Sequence, residues 1–88
     1  MKKITRTLAA RFPLILVHWV DSSSRRGVWN PLEELRHDDV ALACVSVGFL
    51  MKESHQSLTI AAHLTEHQGG GDMCIPTCAI TKRTILKH

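Results

Sequence analysis

The sequence predicts an all-β chain: a small five-stranded barrel preceded by a short N-terminal helix or arm. Three observations carry that expectation. In Cys44–Glu53 the odd positions Val45, Val47, Phe49 and Met51 are apolar, and in Leu58–Thr65 the even positions Leu58, Ile60, Ala62 and Leu64 are. Period two turns one side of each run inward and the other outward, as in a half-buried strand. Between them Ser54-His55-Gln56-Ser57 is short and polar, suited to joining antiparallel neighbours. Three further strand-like runs complete the set, with a long loop after the first and a proline turn before the last.

In chain order, Met1–Phe12 places Ile4, Leu8 and Phe12 at i, i+4 and i+8 with Lys and Arg elsewhere, which predicts about two turns of helix. So short a helix is marginal alone and must dock or fray. Pro13 ends it, because the residue before a proline is pushed out of the helical region. Leu14–Asp21, LILVHWVD, is the first strand; it is nearly continuously apolar, as a strand buried on both faces is. Ser22–Gly27 is a polar loop with glycine as its turn residue. Pro31 suits a helix start, and Leu32–Val40, LEELRHDDV, reads as one helical turn or an irregular crossing, with a long loop containing a turn preferred.

After the hairpin, His67-Gln68-Gly69-Gly70-Gly71 reads as a loop, since a glycine run weakens any regular element. Asp72–Ile75 is a short fourth strand. Pro76-Thr77-Cys78-Ala79 suits a single 3₁₀ turn, and Ile80–Lys87 is the fifth strand. Gly48 supplies the position without a side chain that a strongly bent central strand requires. This order of elements resembles an SH3-like or Sm-like small barrel. It divides the chain into a basic arm, residues 1–12, and a single domain, residues 13–88.

Four segments carry a second likeness: His18–Ser22 (HWVDS), Trp29–Glu33 (WNPLE), Cys44–Glu53 (CVSVGFLMKE) and Gly71–Ile80 (GDMCIPTCAI). Together they resemble a group of small accessory proteins of tailed phages and prophages. The resemblance runs from about Val17 to Ile85, omits the basic arm, and departs at Cys78, where a polar or basic residue is expected. It implies a phage accessory gene product and implies no particular activity.

Composition narrows the function classes. A chain of 88 residues makes one domain and buries only about 60–65% of its unfolded surface, so self-association is a natural route to stability. The net charge of +3 is unevenly spread. Lys2, Lys3, Arg6 and Arg11 precede the first acid, Asp21, whereas Glu33–Asp72 holds seven acids against Arg36 and Lys52. A broad basic face for nucleic acid is therefore not indicated, and any such contact falls to the N-terminal arm. Three cysteines do not make a disulfide framework, which points to a reduced cytoplasmic compartment; the phage resemblance implies that this is the cytoplasm of a bacterial host. The apolar run Leu14–Val17 is too short for a secretory leader, and no run is long enough to cross a membrane.

Candidate sites are few. Cys74 and Cys78 form C-x₃-C, and His63 and His67 form H-x₃-H, a list that formally suits zinc. The cysteines flank a proline turn, however, and read first as small buried apolar residues, so no metal and no cofactor are expected. Cys44 has no basic neighbour to activate its thiol, and Glu33-Glu34 and Asp38-Asp39 are adjacent pairs rather than carboxylates facing across a bond. The glycine run lacks the lysine and helix start of a phosphate-binding loop. Trp29 differs: an indole beside Arg25 and Arg26 can stack a base and hold a phosphate, or fold back as a lid over the barrel mouth. Lys82 and Arg83 on the last strand are the other binding candidates.

These features predict a non-enzymatic, homo-oligomeric binding protein that acts on host physiology or host defence by occupying a host protein. An oligomeric barrel that sequesters a small nucleotide or binds RNA is the second class, and a virion structural component the third.

Overall fold

A computed structural model describes residues 8, 10–25, 27, 29–37 and 41–86. The elements run β1 (Leu14–Asp21), α1 (Leu32–His37), β2 (Leu42–Glu53), β3 (Ser57–Ala61), β4 (His63–Leu64), β5 (Gly69–Gly70), β6 (Met73–Pro76), a 3₁₀ turn (Thr77–Ala79) and β7 (Ile80–Leu86). The chain is all-β with little helix. One five-stranded antiparallel sheet has the order β6–β3–β2–β1–β7, and β4 and β5 make a separate two-stranded ribbon.

The core lies on one side of the sheet. Ile15 and Val17 from β1, Leu58 and Ile60 from β3 and Ile75 from β6 form the buried cluster, with Trp19, Leu50, Ala79 and Ile80 packed against it. Fully burying a side chain of this kind stabilises by about 1.5–3 kcal/mol, so five such residues supply most of the driving force.

β2 joins the two halves of the sheet. Its first part pairs with β1 from Leu42 to Phe49, and its last part pairs with β3 from Phe49 to Glu53. The change of partner falls beside Gly48, where a Cβ would stand 3.0 Å from both the Ala61 carbonyl oxygen and the Ile60 Cβ. Only a residue without a side chain lets β3 cross that closely. A bulge between Leu50 and Lys52 adds local twist. At the hairpin tip the Ser54 amide donates to the Ser57 carbonyl at 2.9 Å, and Ser54 Oγ accepts from the Gln56 and Ser57 amides. The Thr77 amide and hydroxyl donate back to the Gln56 and Ser54 carbonyls, which fastens the 3₁₀ turn to that tip.

Several expectations need correction. Residues 32–37 are helical, the alternative to the preferred loop with a turn. The strand begun at Leu58 stops at Ala61, and the glycine run is not all loop: Gly69 and Gly70 pair with Leu64 and His63. A two-residue ladder asks little of side chains, so glycine suffices there. β1 is not buried on both faces, because only Ile15 and Val17 are fully covered while Leu14, Leu16 and His18 are half-buried. Val45 and Val47 point away from the core, at 61% and 51% exposure. They alternate as the sequence predicts, but on the outer side of the sheet. Gly48 pairs with Ile15, so in β2 the glycine, not its neighbours Val47 and Phe49, faces inward at that row. The final strand is described over Ile80–Leu86, and Lys87 and residues 1–7 of the basic arm lie outside the described residues; Leu8, Ala10 and Arg11 carry helical backbone.

Candidate docking site

Beyond β1 the chain leaves the sheet at Ser22, whose amide donates to the Asp21 carboxylate at 2.8 Å. Gly27 then takes φ +86°, a conformation that other residues adopt at a cost. Arg25 is strapped to α1: its guanidinium lies 3.7 Å from the Glu34 carboxylate and donates to the Glu34 carbonyl at 3.1 Å. α1 itself follows from Pro31, whose carbonyl accepts from the Leu35 amide, and from charges ordered along the helix dipole. Glu33 and Glu34 sit in its first turn and Arg36 and His37 in its last. His37 and Arg36 both reach Glu33, at 3.0 and 3.7 Å.

None of the six residues of α1 is buried. Trp29 is 92% exposed, Leu32 74% and Leu35 52%. Leu32 and Leu35, three positions apart, share one side of the helix. The loop and α1 thus form an arm that presents three large apolar side chains to the outside. Trp29 is not a lid.

The other candidate residues do not join it into one cationic pocket. Arg26 lies outside the described residues. Lys82 and Arg83 are consecutive in β7 and face opposite sides of the sheet. Lys82 stands in register with His18 on the outer side, whereas Arg83 stands opposite Val17 on the core side and is ion-paired with Glu53. Two of the predicted phosphate-holding cations, Arg25 and Arg83, are thus already matched with carboxylates.

Cys74 and Cys78 are exposed, contrary to their reading as buried apolar residues, and Cys44 is half-buried. Among the described residues no three His, Cys, Asp or Glu side chains converge to hold a metal ion, so Cys74, Cys78, His63 and His67 do not come together as ligands. Cys74 stands opposite Thr59, with Lys52 next across the sheet on the same outer side. Hydrogen bonds from the Thr59 and Ser57 hydroxyls hold its thiol below the ordinary value. A shallow cleft of about 370 Å³ lies elsewhere, lined by Arg11, Phe12, Met51, Leu64 and His67 among others. No local motif marks it, since its walls come from segments far apart in the chain. No helix among the described residues is long and apolar enough to cross a membrane.

Comparison with known protein families, with curated proteins and with solved structures finds no match.

Proposed function

We propose that this chain is a non-enzymatic binding protein that works by occupying a protein partner through the Trp29–α1 arm. The observation that carries the reading is the exposure of Trp29, Leu32 and Leu35 on a segment pinned by Arg25 to Glu34. Tryptophan is seldom left this open without a contact to make, and it is among the residues that most often anchor protein interfaces. The nucleotide and RNA reading draws less support, because Arg25 and Arg83 are each paired with an acid. In the phage setting implied by the sequence resemblance, the partner is a host protein and the compartment the bacterial cytoplasm.

The same proposal extends to the architecture: the sheet curls as an SH3-like or Sm-like small barrel. β6 and β7 stand at opposite ends of the strand order, yet only Thr77–Ala79 separates them. A flat five-stranded sheet would hold its edges about 19 Å apart, at ~4.8 Å per strand. Three residues of 3₁₀ turn rise only about 6 Å. The Arg83–Glu53 pair, between β7 and the far end of β2, supports the same curl.

The test is retention of bacterial proteins on immobilised wild-type chain and on Trp29→Ala. The reading expects one protein retained in near-equal amount by the wild type and lost by the variant, with the two chains melting alike. Equal retention by both would remove Trp29 from the contact. Binding that collapses steeply with added salt would return the case to nucleic acid.

A further inference from the structure

Among the described residues, two groups of exposed apolar side chains stand out from the core. One is the arm. The other is the outer side of β2, β1 and β7, where in-register rows bring Val47 beside Leu16 and Val45 beside His18 and Lys82. Val20 lies on the same side, 39% exposed, and Val45 and Val47 are more than half exposed. We propose that the arm of one copy docks on this outer sheet face of a second copy, and reciprocally, so that the protein in its free state is a two-fold dimer. This inference rests on the reading of Trp29 and α1 as a docking arm, and names the surface that the arm takes when no other partner is present.

Size and charge both favour a second copy as the occupant. From the exposures, the arm offers on the order of 450 Å² of apolar surface and the face on the order of 250 Å², so a reciprocal pair covers about 700 Å² per partner, close to the ~800 Å² share of a standard interface. The arm alone matches the largest apolar patch of an ordinary monomer, about 300–600 Å², and the sheet face adds a second one. The shapes also match, since a helix with an i, i+3 leucine pair fits a broad apolar sheet face. The charges are complementary. Residues 33–39 hold four acids against Arg36 and the Arg25 engaged at Glu34, a net negative segment, while Lys82 borders the sheet face. A reciprocal exchange closes on itself and leaves no copy of either surface open, as two-fold assemblies require.

Sedimentation or light scattering tests this on the wild type and on two surface variants, Trp29→Asp in the arm and Val47→Asp in the face. The expected wild-type mass is about twice the 9.8 kDa of one chain, and each variant should dissociate at least tenfold more readily. An equimolar mixture of the variants holds one intact arm and one intact face, so it should recover mixed dimer. Recovery on mixing is unique to arm-on-face contact; face-to-face or arm-to-arm packing would not give it. A wild-type chain that stays monomeric at about 100 µM, or variants that dissociate without recovery on mixing, would overturn the proposal. Circular dichroism of each variant separates misfolding from loss of contact. Loss of partner retention in Trp29→Asp despite a monomeric wild type would leave the partner-binding reading standing alone. A mixing-competent dimer that retains no partner would do the reverse.

Discussion

Arg83, on an edge strand of the sheet, is ion-paired with Glu53 at the end of β2. Both stand on the core side, Arg83 in register with Val17 and Glu53 with Leu58. The pair therefore spans the opening above the buried cluster rather than decorating the outer surface. Each side chain remains more than a third exposed, so water screens the attraction and its worth is modest. A double-mutant cycle with Arg83→Met and Glu53→Gln should return a coupling of about 0.5 kcal/mol, within the range of exposed pairs. A coupling indistinguishable from zero would mean that the pair does not help to hold β7 near the end of β2.

Gly48 is the tighter constraint. A Cβ there meets a backbone carbonyl and a β-branched core side chain, neither of which can swing aside. Gly48→Val should lower stability by about 1–3 kcal/mol, the usual cost of overpacking. Urea unfolding measures it; an unchanged midpoint would show that β3 moves away freely.

In the core, Ile15 is fully covered and Ile85, its register partner on β7, is 54% exposed. Ile15→Val should therefore cost about 1 kcal/mol. The same change at Ile85 should stay within about 0.5 kcal/mol, as surface changes do. Thermal melts of the two single variants decide this, and comparable losses would show that Ile85, on the core side of the edge strand β7, is covered rather than open to water.

Cys74 should alkylate faster than Cys78 near neutral pH. The Thr59 and Ser57 hydroxyls donate to its sulfur and favour the thiolate, with Lys52 adding a smaller effect. Because the folded-state value is lowered, thiolate appears at lower pH than in an ordinary thiol, and Thr59→Val should move the reactivity profile of Cys74 back up. The same sign makes this group favour the folded state at high pH, an effect that disappears as pH falls through the lowered value. Peptide-resolved labelling with iodoacetamide across pH reads both cysteines at once, and matched rates would cancel the assignment.

The strands were legible where local pattern and tertiary role agree. β1 begins and ends where LILVHWVD does, and Ser54–Ser57 turns the chain as its polarity implies. Sidedness was less legible. Val45 and Val47 alternate as core residues do, but their side is fixed by the pairing of Gly48 with Ile15, a long-range fact absent from any local window. α1 was hidden because a six-residue helix offers less than two turns of periodicity. At the candidate site, Trp29 stood out as an aromatic in a polar stretch. Its neighbour Arg25 looked like a phosphate ligand because the carboxylate that engages it, Glu34, lies nine residues on.

The two tryptophans have an optical consequence. The chain contains no tyrosine, so its near-ultraviolet emission comes almost wholly from Trp19 and Trp29. Trp19 rests against the core with its indole N–H donating to Ser46 Oγ at 3.0 Å, while Trp29 stands in water. The chain thus carries two built-in chromophores at unlike addresses. A blue, quencher-resistant component follows the integrity of the sheet, and a red, quencher-sensitive one follows whatever settles on the arm.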